Sequence, residues 1–442
     1  MPTPIEQQYI DKHPGSAERY QTSKDLFPDG VTHDARRLSP FPLYVSHAEG
    51  PYKWDVDGNR LIDFRTGHGS MILGHAHPEI VSVVQEQIAK GTHHSASTDL
   101  EIRWGQLVRE LIPSAEKVRF HSSGTEADMM AIRMARAYTG KTKVIKFTDH
   151  FHGWSDYLVA GSDGLGGIPQ ETLGTMIVLP PNDISVVEKA IRENEVAAVI
   201  LEPTGAHMGQ YPIKPSFLQE LRDLTEREGV VLIFDEVVTG FRTSKSGAQG
   251  YYSVTPDMTT LAKILGGGLP GGAVSGKAEI IDMIRTTDDP EWNKTRRIAH
   301  NGTFNANPLS AVAGIKALEL VSTTPVNDTA NARAEQLKNG LNDLLTRMEV
   351  QGVADGVASL IFLRLGVDPQ DADIENSPNA IEAIKKGSNS ARQHQMNLAL
   401  VNHGVDSGDR FILGMKHSEQ DINDTVDAVE KALTDLRNQG LV

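Results

Sequence analysis

Cysteine is missing from all 442 residues, so disulfides, thiolate metal sites and cysteine nucleophiles are excluded. Positive charge is in deficit too: 43 Lys and Arg face 58 Asp and Glu, for a net charge of -15. That balance argues against a nucleic-acid surface and against a polybasic membrane patch. Long apolar runs are also absent. None reaches membrane-spanning length, and the first twenty residues, MPTPIEQQYIDKHPGSAERY, have neither the basic nor the apolar region of a signal peptide. A cytoplasmic protein acting on small molecules is expected. On the same ground, the sequons at Asn301 and Asn327 are expected to meet no glycosyltransferase.

What remains is an ordinary globular composition, 39% hydrophobic and 23% charged, in a chain long enough for two or three domains. The stretch 230–276 is its most informative part. The apolar, β-branched run Val230 to Phe234 reads as a buried parallel strand that ends in Asp235 and Glu236. Ligands of open α/β sheets bind beyond the carboxyl ends of such strands, which puts Asp235 where a site belongs. Lys263 follows between Ala262 and Ile264. Burial there favours its neutral, nucleophilic amine and suits it to Schiff-base chemistry. In the alternative, the two acids cap a strand and the lysine reaches solvent.

Elsewhere the chain alternates. Strands at KVRFH, KVIKF, TMIVL, AAVILEP and VVLIF are separated by helices, a βαβ pattern that predicts an α/β fold with a mostly parallel sheet. The expected organisation is an arm and part of a small domain at 1–69, a large domain at 70–320, and a small α+β domain at 321–442. Residues 1–40 are read as one helix and an irregular arm. Asp57-Gly58, between two alternating segments, marks a hairpin.

Several loops offer chemistry. Ser123, Gly124 and Thr125 lie between a strand and a helix, a cradle for phosphate or an ordinary helix cap. Phe151 and His152 follow KVIKF, and the ring of Phe151 can stack on a flat ligand or pack within its loop. Glu202 ends a strand and can bond a ligand or start a turn. Gly302 and Thr303 can donate to an anion. Arg36 and Arg37 can clamp a carboxylate or stand solvated. His68, His75 and His77 suggest a metal, but no nearby carboxylate helix completes a ligand set, so turn histidines are expected and no metal site. GGGLPG is a weak GxGxxG match with an internal proline. GGAVSGKA resembles a P-loop with Ala278 where Ser or Thr would hold magnesium.

Taken in order, SSGTEA, FHG, LEP, FDEVVTGFR, LAKILGGGLPGGA and GTFNANP resemble the class III aminotransferases, pyridoxal 5′-phosphate enzymes of fold type I, from about residue 28 to 425. Within that family the chain is similar to glutamate-1-semialdehyde aminomutases and β-amino acid aminotransferases. The resemblance implies that Lys263 carries the cofactor and shuttles a proton, and that Asp235 pairs with the ring nitrogen. It implies that Ser123, Gly124 and Thr125 hold the phosphate, with Phe151 and Val237 on the two ring faces and His152 and Glu202 beside them. Thr303 would reach the phosphate of a partner subunit in a homodimer. Arg36 would hold the substrate carboxylate, and His68 would face the substrate.

Some positions depart from the family pattern. Phe151 stands where Tyr is more frequent, GVTHDAR where the aminomutases have a pattern like GVNSPVR, and His68 where they carry Trp. Residues 159–169, over the site, form a shorter loop. The reading that follows is an aminotransferase working between a carboxylate-bearing amino acid, β- and ω-amino acids included, and a keto acid. The alternative is a glutamate-1-semialdehyde-type 2,1-aminomutase.

Overall fold

In the computed structural model, which describes residues 1–442, the strands between 117 and 276 form one seven-stranded sheet. They are β1 (Lys117–His121), β2 (Lys143–Phe147), β3 (Met176–Leu179), β4 (Val196–Leu201), β5 (Val231–Glu236), β6 (Met258–Ala262) and β7 (Gly272–Gly276). The order across the sheet is β1-β7-β6-β5-β4-β2-β3. From β6 to β3 the neighbours are parallel, while β7 is antiparallel to β6 and to β1. Every residue of β4 and of β5 is buried, as expected of strands covered on both faces.

This sheet belongs to a compact unit made of His68–Met71 and Pro78–Asn327. The expected boundary at 320/321 falls inside the helix Pro308–Thr323, and the unit continues to Asn327. Within GGAVSGKA, the P-loop look-alike, GAVSG is strand β7. A Cβ added at Gly272 would lie 2.2 Å from the Ser123 carbonyl oxygen, and one at Gly276 would lie 2.5 Å from that of Asp257. Close backbone approach explains these glycines without any nucleotide.

The helix α1 (Gly124–Thr139) crosses from β1 to β2. Ser123 caps it, its Oγ accepting the Glu126 N–H at 3.2 Å, and Glu126 reaches back to accept the Ser122 N–H at 2.6 Å. This reciprocal arrangement satisfies two donors that a helix start otherwise strands. Gly140, left-handed at φ 71, ends the helix.

The second unit gathers Met1–Gly67, Ile72–His77 and Asp328–Val442. It holds a four-stranded sheet, in which Val405–Asp406 lies parallel to Arg60–Asp63, and a three-stranded sheet built around Leu360–Leu365. Asp57-Gly58 does turn a hairpin between Tyr52–Asp55 and Arg60–Asp63. Residues 1–40 correct the expectation of a single helix. Two helices, Pro4–Lys12 and Pro14–Lys24, are separated at His13, because Pro14 cannot continue the first but can begin the second. Tyr9, Phe64, Leu337, Leu341, Val429 and Leu433 are fully buried in this unit's core.

A group of charges is buried in the same unit. The Lys53 ammonium bonds Asp63 at 3.0 Å and also Asp406, whose other oxygen accepts Arg65 Nε at 2.8 Å. His75 Nε2 is 2.7 Å from Asp63, so this histidine serves the ion cluster.

Candidate active site

The sheet register brings the two leading residues together. On adjacent parallel strands, Asp235 of β5 stands opposite Thr260 of β6. Two residues after Leu261, which pairs with Glu236, the chain leaves β6 through a turn, Lys263–Gly266. Lys263 itself is left-handed at φ 52, a conformation that costs a non-glycine residue roughly 1 to 3 kcal/mol and clusters at functional sites. The alternation of side chains along β5 separates its two acids. Buried Glu236 is consumed structurally, accepting from Ala248 and Gln249 backbone N–H, the Gln249 amide and the Thr239 hydroxyl. Asp235 faces Lys263.

Asp235 Oδ1 accepts the Val237 N–H at 3.0 Å, and Oδ2 lies 2.7 Å from His152 Nδ1. A carboxylate can only accept here, so Nδ1 carries the proton. Burial pushes the acid up to about 6, against the pull of the Val237 amide and the Lys263 charge. His152 lies well below its ordinary range because burial disfavours the imidazolium, and it is a neutral donor. Removal from water also lowers Lys263, with Asp235, Glu202 and Asp128 pulling the other way. Its amine makes no hydrogen bond or ion pair within the protein. An amine whose charge burial disfavours, and which has no hydrogen-bond partner, is available to a carbonyl carbon.

The loops at the helix start complete the pocket. A Cβ on Gly124 would sit 2.9 Å from both Val237 methyls, and one on Gly153 would sit 2.3 Å from Thr125 Oγ1. Gly124 is therefore packed on Val237, and Gly153 on Thr125. The first N–H groups of α1 have no intrahelical acceptor and can bind an anion. With Ser123 occupied as the cap, the Thr125 hydroxyl is the side-chain donor left over. A helix start for a phosphate, a buried acid for a ring nitrogen and a partnerless amine fit pyridoxal phosphate.

Glu202 has a supporting place. Its carboxylate accepts the backbone N–H of Phe151 and His207 on one oxygen and that of Met208 on the other, at 2.9, 3.0 and 3.0 Å. His207 and Met208 are both left-handed, at φ 51 and 71, so this acid pins a strained loop. Its own N–H goes to His150 Nδ1 at 3.0 Å. The ring of Phe151 is 58% exposed, open to a stacked ligand.

Of the remaining expected residues, His68 precedes a glycine that lies against Lys263. This histidine too is left-handed, at φ 54. A Cβ on the following Gly69 would lie 3.9 Å from Lys263 Cδ, and the Gly69 carbonyl accepts from the Arg242 guanidinium at 2.8 Å. Thr303 is not brought to this group. It is exposed in a depression of about 1210 Å³ lined with His93, Arg109, Arg119 and His300. Arg36 belongs to the other unit, exposed on the turn Asp34–Arg36 and bonded to the Thr32 hydroxyl at 2.9 Å.

Sequence reasoning missed Asp128 and Thr260. The Thr260 hydroxyl donates to Asp128 Oδ1 at 2.5 Å, directly behind Asp235. The available signal was an acid standing in an apolar helical stripe.

Comparison with known proteins gives the family. The family model for aminotransferase class-III matches residues 34–363. A glutamate-1-semialdehyde 2,1-aminomutase of Sulfurisphaera tokodaii is 37% identical over 439 residues, covering 95% of this chain and 100% of that protein. Among solved structures, an omega-transaminase from Sphaerobacter thermophilus superposes with a TM-score of 0.88 at 33% identity, over 97% of this chain and 99% of the other. A β-phenylalanine aminotransferase from Variovorax paradoxus gives 0.85 at 29% identity, over 99% and 97%.

Proposed function

The chain belongs to the class III aminotransferase family and takes pyridoxal 5′-phosphate, and from that premise we propose that it moves an amino group within a carboxylate-bearing substrate, as a glutamate-1-semialdehyde-type 2,1-aminomutase. The observation that carries the chemistry is the pairing of a partnerless Lys263 amine with a buried Asp235 at the ends of adjacent strands. The full-length similarity to proteins named as aminomutases supports the intramolecular form over transfer to a separate acceptor.

When bound, the cofactor supplies an electron-withdrawing ring next to the carbon that carries the amine. The chain's own residues do the rest. Lys263 Nζ would hold the cofactor and then carry a proton between the amine-bearing carbon of the substrate and the cofactor, as base and acid in turn. Asp235, fixed by Val237 N–H and His152 Nδ1–H, holds a proton on the ring nitrogen. The start of α1, with Thr125, binds the phosphate. Phe151 covers one ring face and Val237, pressed on Gly124, covers the other. Arg36 takes the substrate carboxylate and His68 borders the substrate. Thr303 serves the site of a second copy in a homodimer.

A second reading, transfer between an amino acid donor and a keto acid, is favoured by two observations. His68, next to the Gly69 that lies against Lys263, stands where the aminomutases carry Trp, and the similarity to an omega-transaminase spans nearly the whole chain. The two are separated by incubating the enzyme with substrate alone. Catalytic isomerisation of an amino-oxo acid without acceptor supports the mutase. A single turnover that stalls until a keto acid is added refutes it and establishes transfer.

A further inference from the structure

Asp128 is an acid on an otherwise apolar helix face. Its buried neighbours on α1 are Ala127, Met130, Ala131, Ile132, Met134 and Ala135, and it is itself 1% exposed. Thr260 donates to its Oδ1 at 2.5 Å from the position opposite Asp235 in the β5–β6 register. Asp128 and Asp235 are therefore neighbours across Thr260, and burial, then the charge of Asp235, raises Asp128. Two neighbouring carboxyl groups in a buried site do not both keep a charge.

The donor count decides which acid carries it. Asp235 accepts from Val237 N–H and His152 Nδ1–H, both of which stabilise a negative charge. Asp128 receives one hydroxyl only. The titratable groups acting on it are Asp235 from β5 and Lys263 from the turn after β6, with the Thr260 hydroxyl beside them. Lys263 is bonded to neither acid.

We propose that Asp128 is a positioning residue, a carboxylic acid that stays protonated and donates its O–H to Asp235, so that Asp235 faces the cofactor's ring nitrogen as a fully hydrogen-bonded carboxylate. Burial, and after it the charge of Asp235, holds Asp128 well above the usual carboxylate range, whereas Asp235 rises only to about 6. The functional consequence rests on the reading of Asp235 given above; the protonation of Asp128 does not.

The experiment is infrared difference spectroscopy of the holoenzyme labelled with carbon-13 aspartate, on wild type, D128N, D128L and D235N. The expected result is a protonated-carboxyl band at neutral pH in wild type that persists in D235N and disappears in D128N. Asparagine can still donate to Asp235 and accept from Thr260, so D128N should keep the cofactor affinity and the pH profile of its visible absorption. D128L lacks the donor and should bind the cofactor about tenfold less tightly, the loss of one charge-assisted hydrogen bond. No such band in wild type, or a band that survives in D128N, overturns the proposal. A D128N profile as altered as that of D128L overturns it too, since the charge of Asp128 would then matter. If the band behaves as expected while D235N binds cofactor and turns over like wild type, the reading of Asp235 fails and the protonation of Asp128 stands.

Discussion

Replacing Asp235 by asparagine should act in opposite directions with and without the cofactor. In the cofactor-free protein burial holds this acid at about 6, against an ordinary 3.8. The native state therefore binds the proton more tightly than the unfolded chain, and the group subtracts stability as pH climbs through that interval. The gap of roughly two units amounts to about 3 kcal/mol, all of it expressed above about pH 6. Asparagine has no charge to desolvate, and its oxygen can still accept the Val237 N–H.

Cofactor-free D235N is therefore expected to melt above wild type at about pH 8, with the difference vanishing below about pH 4. With cofactor bound, the missing partner for the ring nitrogen removes a charge-assisted bond of about 1.5 to 3 kcal/mol, or roughly 10- to 150-fold in affinity, and turnover should nearly cease. Calorimetry of both forms at the two pH values and an absorbance titration with cofactor measure each quantity. A cofactor-free variant that melts below wild type at about pH 8, or full activity in the loaded variant, refutes the reasoning.

Lys263→Ala should fold, bind cofactor without its lysine-dependent visible absorption and lose activity; an unchanged spectrum would rule out this lysine. Asp406→Asn should destabilise by about 2 to 3 kcal/mol in denaturant unfolding, because it removes one of the two acids facing buried Lys53 and the partner of half-buried Arg65. Both acids of that cluster lie below their ordinary 3.8, pulled down by the facing cations. Their contribution is complete above about pH 4 and lost as pH falls towards the lowered native values, and an acid unfolding curve unchanged in Asp406→Asn would contradict this. Glu202→Ala should release the three backbone N–H groups of Phe151, His207 and Met208. Faster amide exchange at 203–210 is the expected sign, and unaltered protection there would show that the loop holds itself.

The candidate site is legible in the sequence where one-dimensional pattern and chemistry coincide. A β-branched run ending in an acid is visible because parallel strands are apolar throughout, and SSGT followed by Glu126 is visible because helix starts need capping. β6 and β7 were not seen as strands, since MTTLA and GAVSG are short and their small residues answer to backbone contacts with Ser123 and Asp257 that only the folded sheet supplies. Asp128 escaped for a related reason. Its partners, Thr260 and Asp235, are set by strand register, which no spacing along the chain encodes. The break at Pro14 was readable in principle. A helix Pro is equally a start signal, and the two short helices on either side share the polarity of an irregular arm.

The second unit is drawn from both ends of the chain, whereas nearly all of the sheet unit runs without interruption from Pro78 to Asn327. During synthesis, therefore, the sheet unit has its whole complement of strands well before the other unit is complete. Helix Pro4–Lys12 and strand Arg60–Asp63 must wait for Val405–Asp406 and for helix Glu419–Asn438, whose Val429, Leu433 and Leu436 close the core around Tyr9 and Phe64. Helix Pro4–Lys12 emerges before these partners and is buried only when they arrive. Such long-range closure is slow and leaves apolar surface exposed meanwhile. Loss of a few carboxyl-terminal residues should accordingly be felt at the amino terminus, as a half-built core.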